Sequence, residues 1–170
     1  PEEGAKIFYQ TALGGVDFIK DDELLGNPCY SHPADRVKAF RKAAKAAYEE
    51  SGNHVKYFVN VTSGTAEIMD NVKAVEDAGA DGIMINFAAV GYSVLKQVAE
   101  ETKLPILGHA AGSGMVYEGT LNGMSSPLAV GKLARLAGAD IVMVNTPYGG
   151  YPLSYQKYMQ TIEQLVLPFY

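Results

Sequence analysis

The sequence has 170 residues, 48% of them hydrophobic and 19% charged, which suits one globular domain over residues 1–170 with a sizeable core. That apolar content excludes a disordered chain, and no strict short period supports a collagen-like or coiled-coil rod. A formal net charge of −5 and a pI near 5.2 provide no basic field for a polyanion, so nucleic acid is not an expected partner.

Cys29 is the only cysteine, which excludes a disulfide within the chain and a multi-cysteine metal site. One unpaired cysteine fits a reducing cytoplasm, the expected location. No apolar run approaches the ~18–20 residues of a membrane span, so no membrane association is expected. The chain opens on Pro1 rather than Met, a start expected of a segment cut from something longer.

Elements follow in regular alternation. Residues 1–13 read as a helix. Leu13-Gly14-Gly15-Val16-Asp17-Phe18-Ile19 then gives the first strand, and its phrasing recurs in Ala78-Gly79-Ala80-Asp81-Gly82-Ile83-Met84-Ile85 and in Ala137-Gly138-Ala139-Asp140-Ile141-Val142-Met143-Val144. In each, a glycine closes a helix, where positive φ costs it little, and a short apolar run follows as a buried parallel strand. The phrases recur about every 60 residues, or two β–α units of about 30 each. Intermediate strands fall at Lys56–Val61 and Pro105–His109. Helices are predicted over Pro33–Glu50 behind a Ser31 cap, and over Thr65–Ala78 behind Ser63 or Thr65. Others are predicted over Tyr92–Thr102, over Pro127–Ala137 behind Ser126, and from Ser154 to about Leu167.

Five strands and six helices in this order define an α/β fold with a parallel sheet and right-handed crossovers. An open doubly wound sheet and part of a (β/α)8 TIM barrel both fit. No glycine-rich dinucleotide fingerprint follows a strand, and polar residues end every strand, which favours the barrel. Five strands do not close an eight-stranded barrel, so the chain is read as a partial one.

Ligands of either architecture sit at the C-terminal strand ends. Those ends carry Lys20, Asp22 and Glu23, then Asn60 and Thr62, Asn86, His109, and Asn145 with Thr146. In an extended chain Lys20 and Asp22 share a face, and Glu23 can join them from the loop. Two carboxylates on one rim suit a hard cation such as Mg²⁺. A lysine beside them fits either a salt-bridged charged loop or an amine converted to an anionic ligand, and the residues alone leave both open. An unperturbed histidine titrates near neutrality, which makes His109 a candidate acid or base, or a structural histidine. His32 and His54 flank helix ends and read as surface residues. Gly112, Ser113 and Gly114 form a turn whose backbone N–H groups suit a phosphate. Tyr148 and Tyr151 are candidates for lining a pocket or for packing against further chain.

Gly14-Gly15-Val16-Asp17-Phe18-Ile19-Lys20-Asp21-Asp22-Glu23 resembles the signature decapeptide of the ribulose bisphosphate carboxylase (RuBisCO) large-chain superfamily. Asn60-Val61-Thr62-Ser63-Gly64-Thr65 is similar to the motif after that family's next strand, and His109 falls at its strand-five histidine. The resemblance implies that Lys20 is carbamylated by CO₂ and binds Mg²⁺ together with Asp22 and Glu23. It also implies that residues 1–170 span about strands two to six of the barrel, with Tyr170 near the end of the helix after strand six. The N-terminal domain and strands one, seven and eight would lie outside.

Departures from the carboxylase pattern argue against CO₂ fixation. Ala110 stands where carboxylases have a phosphate-binding Arg. The strand Ile141-Val142-Met143-Val144-Asn145 lacks their histidine, and the loop Thr146-Pro147-Tyr148-Gly149-Gly150-Tyr151-Pro152 lacks their Gly-Lys. What stays is the metal half of the machinery, sufficient for enolisation of a keto-sugar phosphate. Asn86 and the Pro147-Tyr148-Gly149 loop resemble the RuBisCO-like (form IV) methionine-salvage enolase branch, whose substrate is a diketo methylthiopentyl phosphate. The expected function is therefore a Mg²⁺-dependent enolase or isomerase with a small phosphorylated sugar as partner. The alternatives are decarboxylation of a 3-keto sugar-acid phosphate, or an inactive half-barrel module. Unpaired edges of a partial barrel predict a homo-oligomer, or closure into an open flavodoxin-like sheet.

Overall fold

A computed structural model describes residues 1–121 and 123–168, in two compact units. The first comprises Pro1–Ile85 with Thr102–Pro105, and the second comprises Asn86–Glu101 with the chain from Ile106 onward. Tyr170, expected near the end of the last helix, lies outside the described residues.

In the first unit, α1 (Glu2–Leu13), β1 (Phe18–Lys20), α2 (Pro33–Ser51), β2 (Lys56–Asn60) and α3 (Ile68–Asp77) precede β3 (Gly82–Asn86), whose last residue belongs with the second unit. Strand β1 pairs in parallel with β2, Phe18 opposite Lys56 and Lys20 opposite Phe58. Strand β2 pairs in parallel with β3, Phe58 opposite Gly82 and Asn60 opposite Met84. Strands buried on both faces read as continuous apolar runs, and all five residues of β3 are buried. Phe8 of α1, Phe40 of α2 and Tyr57 of β2 meet with ring centroids 4.9–5.5 Å apart, holding both helices on one face of the sheet.

The second unit begins with α4 (Phe87–Val90) and α5 (Tyr92–Glu101), then β4 (Ile106–His109) and α6 (Gly114–Tyr117). A π-helical turn over Pro127–Lys132 leads into α7 (Leu133–Leu136), followed by β5 (Ile141–Val142) and α8 (Tyr155–Val166). Strands β4 and β5 are parallel, Leu107 opposite Ile141. The Tyr92 hydroxyl donates to the Ala129 carbonyl at 2.5 Å and ties α5 to the π turn.

The repeated phrase has one structural meaning. Gly15, Gly79 and Gly138 all have positive φ, at 83°, 82° and 101°. After the latter two, Ala80 N–H bonds Val75 O and Ala139 N–H bonds Ala134 O, the wide bond of a glycine helix stop. The aspartate of each of these two phrases then serves a neighbouring strand: Asp81 accepts from Tyr57 N–H and Asp140 from Ile106 N–H.

Several boundaries differ from the sequence reading. His32, not Ser31, precedes α2, and it makes no side-chain cap; Ser31 is buried and gives its carbonyl to Arg36. Helix α3 starts at Ile68 rather than Thr65. The Ser63 hydroxyl donates to Val61 O and accepts from Asn71, so it is taken before it can cap. Ser126 precedes the π turn without capping it, whereas Ser154 does cap α8 through Lys157 N–H. Strand β5 is shorter than its apolar run, although Met143 N–H still bonds Gly108 O beyond its end. The short helices α4 and α6 were too brief to leave a periodic signal.

Candidate active site

Parallel pairing of β1 delivers four successive charged residues to the strand end, and period-two alternation divides them. Ile19 lies opposite Tyr57 and Lys20 opposite Phe58, so Asp21 turns to the helix-covered face while Lys20 turns to the other.

Asp21 is 5% exposed and fully engaged. Its Oδ2 accepts from Arg36 Nε at 3.0 Å and from Asn60 N–H at 2.9 Å, and its Oδ1 accepts from the Tyr57 hydroxyl at 2.6 Å. Burial pushes its carboxyl above the usual range, while the Arg36 charge, Tyr57 and the Asn60 N–H hold it down. Burial, and then the Asp21 charge, push the Tyr57 hydroxyl far above its ordinary value, so it stays protonated and donates. Arg36, 1% exposed, also donates to the carbonyls of Leu25, Gly26 and Asn60 at 2.8–2.9 Å, and to that of Ser31. One guanidinium therefore gathers the whole loop after β1.

Lys20, Asp22 and Glu23 stand on the open side of that loop. Lys20 Nζ, half-buried, donates to Asp21 O at 3.0 Å and lies 3.8 Å from Glu23 Oε2. Asp22 is exposed, with Oδ1 accepting from Leu24 N–H at 2.9 Å. Among the described residues no three His, Cys, Asp or Glu side chains gather as a metal site. Two carboxylates and one lysine form the donor set here. As an ammonium the lysine repels a cation; as a carbamate it completes an all-oxygen anionic set of the kind Mg²⁺ takes. With that conversion the residues fit the metal.

Asn60, expected to contact substrate, is wholly buried. Its Nδ2 donates to Asp22 O and Glu23 O, both at 3.1 Å, and its Oδ1 accepts from Thr62 N–H at 2.9 Å. Thr62 is half-buried, and its carbonyl lies so close to Gly26 that a Cβ there would stand 2.2 Å from it.

In the second unit, Asn86 ends β3 and is 9% exposed. His109 ends β4, and its Nδ1 accepts from Ala111 N–H at 3.2 Å, which puts the proton of the neutral ring on Nε2. Gly112 has φ +88°. Ser113 turns inward, its N–H and hydroxyl both donating to Ala110 O, so its N–H does not serve a phosphate in this conformation. A Cβ at Gly114 would stand 3.0 Å from the Glu118 carboxylate, closer than ordinary van der Waals contact. Asn145 lies three residues beyond β5 and is exposed, and Tyr148 is 90% exposed in the following loop.

Sequence reasoning missed Arg36 and Asp21. The signal was present: Arg36 shares the buried stripe of α2 with Pro33, Val37, Phe40 and Ala47, a charge on an apolar face. Asp21 was the acidic residue that alternation sends away from Lys20.

Parallel β–α units with acidic and amide residues at the strand ends are the pattern of α/β proteins that place ligands at the C-terminal strand ends, (β/α)8-barrel segments among them. The family profile of the ribulose bisphosphate carboxylase large chain catalytic domain matches residues 1–166. A ribulose bisphosphate carboxylase-like protein of Archaeoglobus fulgidus is 42% identical over 172 residues, covering 100% of this chain and 39% of the relative. A 2,3-diketo-5-methylthiopentyl-1-phosphate enolase of Bacillus pumilus is 41% identical over 144 residues, 84% of this chain and 36% of the enzyme. Among solved structures, the rubisco-like protein MtnW of Alicyclobacillus acidocaldarius superposes with a TM-score of 0.91 at 31% identity, over 98% of this chain and 42% of its own. A dimeric archaeal Rubisco from Hyperthermus butylicus gives 0.81 at 34% identity, over 96% and 37%. The chain belongs to the RuBisCO large-chain family, as a segment of its TIM barrel, and has relatives named as enolases. It spans about two-fifths of the length of the curated relatives it matches.

Proposed function

We propose that this chain carries the metal-binding half of a RuBisCO-like enolase, acting on a phosphorylated diketo sugar of the methylthiopentyl type rather than fixing CO₂. The observation that carries the reading is the convergence of Lys20 Nζ and Glu23 Oε2 to 3.8 Å, beside Asp22, at the end of β1. Lys20 as a carbamate, with Asp22 and Glu23, would hold Mg²⁺. The metal would supply Lewis-acid polarisation of a substrate ketone, easing removal of the neighbouring proton.

The chain's own residues bind and move protons. The Lys20 side chain, anchored on the Asp21 carbonyl, brings its nitrogen to the rim where CO₂ would add. His109, with its neutral-form proton at Nε2, serves as a proton carrier. Asn86, Asn145 and Tyr148 are assigned to substrate, and Gly112 and Gly114 to its phosphate. Ala110, and the absence of lysine from residues 146–152, remove the cations on which a carboxylation intermediate would depend.

The activity is assigned to a complete barrel in which residues 1–170 form one part, working in the cytoplasm as a homo-oligomer. The dimeric neighbour supports the assembly. Among the described residues no helix is long and apolar enough to cross a membrane.

The test is ¹³C NMR with ¹³C-bicarbonate and Mg²⁺, using Lys20→Ala as control, followed by ultraviolet assay of the full-length protein on a phosphorylated 2,3-diketone. A carbamate signal lost in the variant, with enol formation, is the expected outcome. Release of CO₂ from a β-keto acid phosphate would instead make the protein a decarboxylase. A folded protein with neither signal nor turnover would be an inactive module.

A further inference from the structure

Among the described residues, Asn60 is the one wholly buried side chain whose amide reaches the backbone of both expected carboxylate ligands. We propose that Asn60, locked by Arg36, is a positioning residue that clamps the Asp22–Glu23 peptide and so sets the conformation in which the loop accepts a divalent cation. This rests on the metal cradle proposed above and deepens it.

The hydrogen bonds form a closed circuit. Both amide protons of Asn60 go to ligand-residue carbonyls, Asp22 O and Glu23 O. The amide oxygen accepts from Thr62 N–H, which fixes the side chain's flip and leaves Nδ2 no choice but to face the loop. The backbone of Asn60 is held as tightly: its N–H donates to Asp21 Oδ2 and its carbonyl accepts from Arg36 at 2.8 Å. Arg36 reaches onward to Leu25 O and Gly26 O, just past the ligands. The segment Asp21–Gly26 is therefore held by a carboxylate before the ligands, an amide at them and a guanidinium after them. Outside these bonds the segment is irregular, with little regular backbone pairing of its own. Its carbonyls at Asp22 and Glu23 are held inward by Asn60, while the Asp22 side chain is exposed.

A general packing role predicts lost stability only. A clamp predicts lost metal affinity in protein that is still folded. Asn60→Asp keeps the acceptor for Thr62 N–H but replaces the donor with a carboxylate oxygen facing two carbonyls; Asn60→Ala removes both. Mg²⁺ titration by calorimetry in saturating bicarbonate, at a temperature where circular dichroism shows each variant folded, should give at least a tenfold weaker affinity in both. The ¹³C carbamate signal should fall in parallel. In the wild-type chain, independently of any variant, the Asn60 side-chain amide resonances should shift when Mg²⁺ and bicarbonate are added. Wild-type affinity in the folded variants, or unmoved Asn60 resonances in a chain that does bind Mg²⁺, overturns the clamp and leaves the cradle standing. A full-length wild-type protein with neither Mg²⁺ binding nor carbamate overturns the cradle, and the clamp with it.

Discussion

Replacing Arg36 with methionine tests the buried charge pair directly. The side chains of Arg36 and Asp21 are 1% and 2% exposed, with Nε 3.0 Å from Oδ2. Methionine fills much of the volume but leaves the Asp21 carboxylate without its cation. Breaking a buried pair from one side costs about 3–5 kcal/mol. A second route gives the same size: protonating an aspartate of ordinary pKa at pH 7 spans about 3 units at about 1.4 kcal/mol each, roughly 4 kcal/mol. The two routes separate on acidification. Burial already raises the Asp21 carboxyl, and Arg36 is the largest influence holding it down. Without Arg36 the folded-state value rises further above the unfolded one. The folded variant then binds a proton more tightly than the unfolded chain, so its stability is full at low pH and is lost as pH rises through the raised value. Relative to wild type, the deficit of about 4 kcal/mol at pH 7 should shrink as the pH falls through the variant's raised value. With a urea dependence of about 2 kcal/mol per M, the midpoint gap is about 2 M at pH 7 and narrower at pH 5.5. Urea unfolding followed by circular dichroism at the two pH values reads this. A deficit independent of pH would mean that lost packing, not an orphaned charge, is responsible; a deficit under about 1 kcal/mol would refute the pair's importance altogether.

Two further outcomes follow from local geometry. Gly26→Ala places a Cβ 2.2 Å from the Thr62 carbonyl oxygen, so the loop or β2 must shift; a loss of about 1–3 kcal/mol is expected in urea unfolding, and a neutral result would contradict the close approach. Asp140→Ala removes the acceptor 2.8 Å from Ile106 N–H; it should cost about 1 kcal/mol and speed hydrogen exchange at the Ile106 amide, with Asp140→Asn recovering part of the loss because its amide oxygen still accepts.

The sequence made the β–α alternation visible because apolar runs and helix-ending glycines are local signals. Gly79 and Gly138 close their helices as read, and Lys20, Asn60, Asn86 and His109 each end an observed strand, Asn60 one residue before the Val61 expected for its strand. What stayed hidden is non-local. Ser31, Ser63 and Ser126 have the composition of caps, yet tertiary partners or burial claim each one. Asn60 looked like a ligand contact because its type and its place at a strand end suit one. Only the course of the loop after β1, which returns over β2, turns its amide onto Asp22 and Glu23. Arg36 was obscured because a charge on a helix reads as solvent-facing, and its burial depends on four carbonyls supplied by segments 10 or more residues before it or 24 after it, or by the turn at Ser31.

Asp21 and Asp22 are chemically identical neighbours, and the structure gives them opposite work. Alternation at the end of β1 sends Asp21 into the core, onto Arg36, Tyr57 and the Asn60 N–H, and leaves Asp22 at the rim with one backbone partner. Neutralising each with asparagine therefore separates stability from metal affinity. Asp21→Asn keeps an oxygen acceptor but gives up the charge facing Arg36, whose four carbonyl bonds survive; the expected loss is about 1–3 kcal/mol in urea unfolding. Asp22→Asn touches nothing buried, so stability should stay within about 0.5 kcal/mol of wild type while Mg²⁺ affinity in bicarbonate falls at least tenfold. The reverse pattern, a destabilised Asp22→Asn beside an Asp21→Asn that is stable but deaf to the metal, would mean that the loop after β1 carries the opposite aspartate to the rim, and both the cradle and its clamp would have to be rebuilt around Asp21.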